Sequence, residues 1–415
     1  MSCPESKRTN LPGHSKPFWK LLACIWLVLN CGTVCPAETL RWENLTSSFT
    51  VRSGYDDNIV MSAIEPQSDT VNTATSSIRY DYTTERFNSA VTLRLSQWLY
   101  TEESELNTLD QQYSLGLGYK LTPRLSLNLS GSYKEDTTLE EELEAAGYVA
   151  KRTDRLYATG SGSMSYQWSE TTSLDLSYSN FRYWYDHPLY SDTVIHQGTT
   201  GITHQFKNMR TSALLQGAYS RYEYEEARSD DYQILIGFRH LFSETFDLMA
   251  LGGISYSRSQ FSSTILVPVR IGPFIFSRLA RVDERTTDTG WRANITATKK
   301  WEKSTARLGF VRDLSTSSYG YTIERSRASF NLDHQLTERL KVALAANYYL
   351  SESQGGRREA NEWRSLSIRP TVRYQIRQDL SIELSYQYTD SENRLSHTGA
   401  DRNRFFFQFY LEWPG

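Results

Sequence analysis

The chain has 415 residues, of which 22% are charged and 39% apolar, with 27 tyrosines and 10 tryptophans. A helical membrane protein needs runs of about 20 apolar residues, and beyond the N-terminal leader the sequence has none. A formal net charge of −3 supplies no basic surface for nucleic acid, so no nucleic-acid partner is expected.

The chain opens on Lys7, Arg8, Lys16 and Lys20, followed by the apolar run Leu21 to Leu29 and then Cys35-Pro36-Ala37, which has the small-x-small pattern of a cleavage site. Residues 1–37 are read as a secretory signal peptide and residues 38–415 as one outer-membrane β-barrel domain. The apolar run is too short for a membrane anchor. Cys24 lies inside that run rather than after it, which argues against a lipoprotein. Cys3, Cys24, Cys31 and Cys35 all belong to the leader. The remainder then has no thiol for a disulfide or a thiolate metal site. Removing the leader takes 45 basic and 48 acidic residues to 41 and 47.

From about Phe49 to the end, alternating segments recur. In a strand, successive side chains point to opposite faces. Tyr113/Leu115/Leu117/Tyr119, Tyr232/Ile234/Ile236/Phe238, Trp291/Ala293/Ile295/Ala297 and Leu340/Val342/Leu344/Ala346/Tyr348 each give one apolar face. Leu380/Ile382/Leu384/Tyr386/Tyr388 and Phe405/Phe407/Phe409/Leu411/Trp413 continue the pattern. Short charged connections separate them at Thr84–Arg86, Thr122–Arg124, Ser169–Thr171, Lys207–Met209, Ser243–Thr245, Glu302–Ser304, Thr337–Arg339 and Arg377–Asp379. Longer polar connections alternate with these at Glu102–Gln111, Lys134–Thr153, Tyr224–Asp230, Ser351–Asn361 and Thr389–Asn403. This is the pattern of an all-β, antiparallel, up-and-down transmembrane barrel of about 18 strands in the bacterial outer membrane, with lipid outside and water inside.

Two connections are unusual. Thr137 and Glu140 form a capping box that predicts a short helix over Leu139–Ala146, stopped at Gly147. Between Ser257 and Glu284, the run Ile265 to Val269 and then Phe274 to Phe276 is too apolar for a solvated loop. It is read as a long hairpin turning at Gly272-Pro273. A constriction folded into the lumen and a further wall hairpin are the alternatives.

Charges within strands have to avoid lipid, because Arg or Lys at mid-depth costs about 2–4 kcal/mol. Arg292, Lys300, Arg307, Arg312, Glu324, Arg364, Arg373 and Glu383 are therefore expected in the lumen. There they form ion pairs or line a path for an anionic or polyhydroxyl solute. Phe181, Tyr183, Trp184 and Tyr185 are expected at the rim, as an interfacial girdle or as a platform that stacks sugar rings. The scattered histidines form no H-E-x-x-H, and neither a phosphate loop nor a nucleophile elbow is present. No enzymatic activity, cofactor or metal is expected, and a Ser–His hydrolase is the remote alternative.

The segment Gly54-Tyr55-Asp56-Asp57-Asn58-Ile59, followed by Ser68-Asp69-Thr70, reads physically as a tight Asx-type turn. The acids Asp56, Asp57 and Asp69 show no full cation-ligand set. The segment also resembles the opening of the β-barrel porin type 2 family, bacterial outer-membrane barrels associated with exopolysaccharide production. The plan of long hairpins ending on an aromatic strand is similar over the rest of the chain, although Pro414-Gly415 follow Trp413. The resemblance implies a channel for a secreted polysaccharide chain, paired with a periplasmic polysaccharide-export protein. The residues alone support a barrel with a polar lumen, in contact with outer-membrane lipid. A plugged structural or glycan-binding barrel is the rival reading.

Overall fold

The computed structural model describes residues 44–138, 152–271, 274–353 and 362–414, without the side chains of 263–280 and 414. The leader, the helix expected at 139–146, the 272–273 turn and residues 354–361 of one predicted loop lie outside them.

Eighteen strands make one sheet. They are β1 (Leu45–Asp56), β2 (Asp69–Thr83), β3 (Phe87–Tyr100), β4 (Thr108–Thr122), β5 (Leu125–Thr137) and β6 (Asp154–Gln167). Next come β7 (Thr172–Tyr185), β8 (Thr193–Gln205), β9 (Thr211–Tyr224), β10 (Ala227–Ser243), β11 (Phe246–Ile271) and β12 (Phe274–Lys300). The last are β13 (Ser304–Ser317), β14 (Tyr321–Gln335), β15 (Leu340–Ser353), β16 (Glu362–Gln375), β17 (Leu380–Asn393) and β18 (Thr398–Pro414). Each strand pairs antiparallel with the next, and β1 pairs with β18 from Thr46↔Pro414 to Asp56↔Arg404. The sheet thereby closes on itself, as a membrane-spanning sheet must. All eight predicted short connections sit at junctions between consecutive strands, with Thr122, Ser243 and Ser304 already in strand.

The burial pattern is inverted relative to a soluble protein. In β18, Phe405, Phe407, Phe409 and Trp413 are exposed, whereas Arg402, Arg404 and Phe406 are buried. Ile234, Ile236 and Ile254 are 62, 69 and 71% exposed. Polar residues of the other phase, such as Asp231, Ser255 and Arg292, are buried. The apolar phase therefore faces outward and the polar phase inward. On β10 and β11, the inward positions include Gly237 and Gly253. A β-carbon there would stand 1.9 Å from the carbonyl oxygens of Ala250 and Ile234 respectively.

Three predicted connections prove to be mainly strand. Tyr224–Asp230 shrinks to the turn between Tyr224 and Ala227, and Thr389–Asn403 to the turn between Asn393 and Thr398. The apolar 257–284 segment extends β11 and β12 into a paired ribbon as far as Ile271↔Phe274. That is the extended-hairpin alternative. Its neighbours stop earlier, β10 at Ala227↔Phe261 and β13 at Ala293↔Arg312. Thr137 is the last residue of β5, and the rest of the expected capping box and helix lies outside the described residues.

Candidate functional site

The inward phase of the wall carries an excess of positive charge on the β12–β16 side. Lys300, Arg307 and Arg373 lie on that phase, and Arg373 donates to Glu383 across the β16–β17 ladder at 2.6 and 2.8 Å. Further inward cations were not singled out from sequence. Arg94 on β3, Arg327 on β14, Lys341 on β15 and Arg369 on β16 form no ion pair among the described residues. The register aligns several of them. Lys341 stands opposite Arg373, while Arg307 faces Asn331, Asn331 faces Ala345 and Ala345 faces Arg369. The signal was available, because each shares the parity opposite to exposed neighbours such as Leu308, Val372 and Tyr374.

Arg364 corrects the lumen assignment. It shares parity with Leu366, Ile368 and the exposed Val372, so it faces outward. It stands near the long-loop end, where it pairs with Glu392 and lies 3.9 Å from Asp390. The argument that charge avoids lipid fails for it because it stands above the lipid.

Arg312 and Glu324 reach the interior by another route. Both lie on the nominally outward phase of β13 and β14, the phase of Leu308 and Phe310. The ladder between β12 and β13 ends at Ala293↔Arg312, and beyond it β13 separates from β12, while β14 stays paired with β15 as far as Ile323↔Ser353. Tyr222 of β9 donates to the carbonyl of Leu314 at 3.1 Å. Tyr224 and Thr316 hydroxyls meet at 3.0 Å, and Ser191 N–H donates to Ser318 O at 2.7 Å. Leu314 is buried with Ile195 and Tyr222, against Phe181 and Tyr183. Strands that far apart in a closed barrel meet only across its inside. The hairpin therefore folds inward and lays its outer phase on the inner faces of β7–β12. Gly320, at φ +82°, makes the turn at its tip. Glu324 joins the hairpin to the wall, accepting from Arg292 at 2.6 Å and from Arg312 Nε at 3.1 Å. Asp231 lies 3.7 Å from Arg292.

The aromatic cluster at the end of β7 divides by parity. Phe181 and Tyr183 point inward beneath the infolded hairpin, and Tyr183 stacks on Tyr157 at 4.8 Å. Tyr185 shares their phase, with its ring 5.5 Å from Tyr190. Trp184 lies on the opposite phase. The cluster is thus not a single outward girdle.

The Tyr55–Ile59 segment fastens the β1–β2 loop. Tyr55 points outward. Asp56, buried, accepts from Arg402 Nε at 2.9 and 3.0 Å. Asp57 accepts from the N–H and side-chain amide of Asn403 at 2.6 and 2.8 Å. Asn58 bonds Ser62 and the carbonyl of Asp401. Ile59, fully buried, packs with Val71, Tyr100 and Phe406. Ser68 is exposed. Asp69 accepts backbone N–H groups of Thr70, Thr101, Glu102 and Glu103, holding the start of the β3–β4 loop. These carboxylates serve the protein's own donors, and the described residues contain no metal-ligand cluster.

The outer girdle is a row of tyrosines. Tyr178 faces Gly198, which faces Tyr219. Tyr219 faces Tyr232, which faces Tyr256. Ten residues further along β10 is the exposed Phe242, with exposed Trp168, Phe206 and Trp301 at nearby short turns. Ten residues of strand span ~34 Å, or roughly 25 Å at a barrel's tilt. That is the height of a lipid-facing band between aromatic girdles. The chain is an outer-membrane β-barrel.

This outer-membrane barrel matches a family model described as "Putative MetA-pathway of phenol degradation" over residues 282–401. The matching model is not the exopolysaccharide-associated family that the Tyr55–Ile59 segment resembles. No curated relative matches the sequence. Among solved structures, the barrel is similar to the ferric-catecholate import receptor Fiu from E. coli K12, with 8% identity and a TM-score of 0.46 over 88% of this chain and 81% of that one. It is also similar to OccK2 (OpdF) from Pseudomonas aeruginosa, with 13% identity and a TM-score of 0.44 over 90 and 99%. For the outer membrane protein opdK from the same organism the values are 11% and 0.44, over 89 and 100%.

Proposed function

We propose that the barrel is a passive channel for anionic, hydroxyl-rich solutes. An exopolysaccharide chain is the cargo, delivered by a periplasmic export protein. The observation that carries this reading is the cation excess on the inner β12–β16 wall. There Lys300, Arg307, Arg327, Lys341, Arg369 and Arg373 stand against Asp333 and Glu383. Cations on one side of a water-filled lumen raise the local concentration of anions and favour their passage. Serines and threonines elsewhere on the inner wall offer hydroxyl groups to a sugar chain. The segment resembling exopolysaccharide-associated barrels supports the choice of cargo.

Reversal potentials of the purified protein in planar bilayers test the selectivity. The wild type is expected to prefer anions, and the double variant Arg307→Glu/Arg369→Glu to lose or invert that preference. Unchanged selectivity would remove the basis of the proposal. Loss of secreted polysaccharide on gene deletion tests the cargo separately.

The infolded β13–β14 hairpin favours a second reading, in which the barrel is plugged and serves as a structural or glycan-binding element. A bilayer that stays silent with the wild type would select it.

A further inference from the structure

The outer face carries a charged band that the transport reading does not use. Immediately above the tyrosine row, Arg221 stands opposite Asp230, and Asp230 opposite Arg258. One step higher, Arg182 of β7 and Arg228 of β10 share a row with Arg285 of β12, which faces Gln260. Five outward arginines thus crowd one sector, and the acids in the same two rows are Asp230 and Glu223. Asp230 is already occupied, by Arg221 at 2.8 Å and Arg228 at 3.4 Å. Arg182, Arg258 and Arg285 are exposed and have no ion pair among the described residues. Farther up, Arg281 and Asp283 lie 3.6 Å apart. The corresponding outer face of β16–β18 is different. There Asp390 faces Asp401, and Arg364 is paired with Glu392.

We propose that this sector is a docking site for a phosphorylated lipid of the outer leaflet. The position is the first argument. The arginines lie just above aromatic rings that mark the interface, at head-group height, and directly over the apolar surface of Leu215, Ile234 and Ile254. A single ligand with phosphates above acyl chains fits both halves. Charge is the second argument. Guanidinium groups without a carboxylate partner bind phosphate as a two-pronged donor, and each basic residue at a membrane surface adds attraction for anionic lipid. The site goes beyond the channel reading and does not depend on it, since it faces away from the lumen.

Native mass spectrometry of the detergent-purified barrel tests the assignment. The probes are bisphosphorylated lipid A, the same lipid with its phosphates removed, and inorganic phosphate. The wild type is expected to retain the bisphosphorylated lipid at least about tenfold better than the dephosphorylated one. The variant Arg182→Ala/Arg258→Ala/Arg285→Ala is expected to lose that advantage, and Arg364→Ala to keep it. Equal retention of both lipids by the wild type overturns the proposal, whether or not the variant folds. So does full retention by the folded variant. Displacement of the lipid by millimolar inorganic phosphate would assign the arginines to a free anion instead.

Discussion

Asp56 shows how far one side chain reaches in this barrel. It ends β1, yet its carboxylate grips Arg402 of β18, so it ties the closing seam of the sheet as well as the loop that follows. Both groups are buried, and taking one partner from a buried pair costs about 3–5 kcal/mol. Asp56→Ala is expected to lower unfolding stability by that order, seen as an earlier urea midpoint in tryptophan fluorescence. Asp57→Ala removes hydrogen bonds from Asn403 and should cost less, about 1–3 kcal/mol. Equal effects would mean that burial of the pair is not what matters. The turn-forming character of these residues was legible in the sequence, because Asp and Asn satisfy nearby backbone donors. Their partner was not, since Arg402 lies hundreds of positions away and only ring closure brings it near. Arg364 illustrates the opposite difficulty. Its parity was readable from Leu366 and Ile368, but the penalty that forbids outward charge applies only within the lipid band.

The element that most changes the lumen is the β13–β14 hairpin. Glu324 is its electrostatic hinge-pin, shared between Arg292 of the wall and Arg312 of the hairpin itself. Glu324→Gln keeps the shape but removes the charge, and the hairpin should then leave the wall more readily. The expected outcome is a larger or noisier single-channel conductance than that of the wild type. An unchanged trace would show that the tyrosine contacts and the buried Leu314 hold the hairpin unaided. Nothing local in the sequence announces the infolding. Leu314 is one apolar residue among polar ones, and its complement, Ile195 with Tyr222, sits on strands that alternation alone cannot place opposite it. The overestimated loops have a related cause. Above the lipid band the inward phase is polar and buried, as at Thr389, Ser391, Asn393 and Arg402, so Thr389–Asn393 and Thr398–Asn403 lose the hydrophobic alternation while keeping the backbone ladder. A ladder needs hydrogen bonds, not hydrophobic contrast.

At the scale of the whole molecule, architecture was the most legible feature, because lipid and water impose one parity rule on every spanning strand. That rule makes a paired prediction. Ile236→Arg puts a charge on the lipid face near mid-height and should cost about 2–4 kcal/mol of folding free energy into vesicles. Ser130→Arg, on the inner face, should cost far less. Similar costs at both positions would contradict the inside-out burial. The β11–β12 ribbon, in turn, rises ~30 Å of strand beyond Phe261, clear of β10 on one side and of β13 on the other. Its bare backbone margins are templates on which a neighbouring chain would zip. Arg281, Asp283, Glu284, Arg285 and Asp288 stud the β12 margin with charge, which discourages that fusion. Barrels packed shoulder to shoulder on a cell can therefore each hold up a mast without becoming entangled, and a visitor from outside brushes the mast before it finds the mouth.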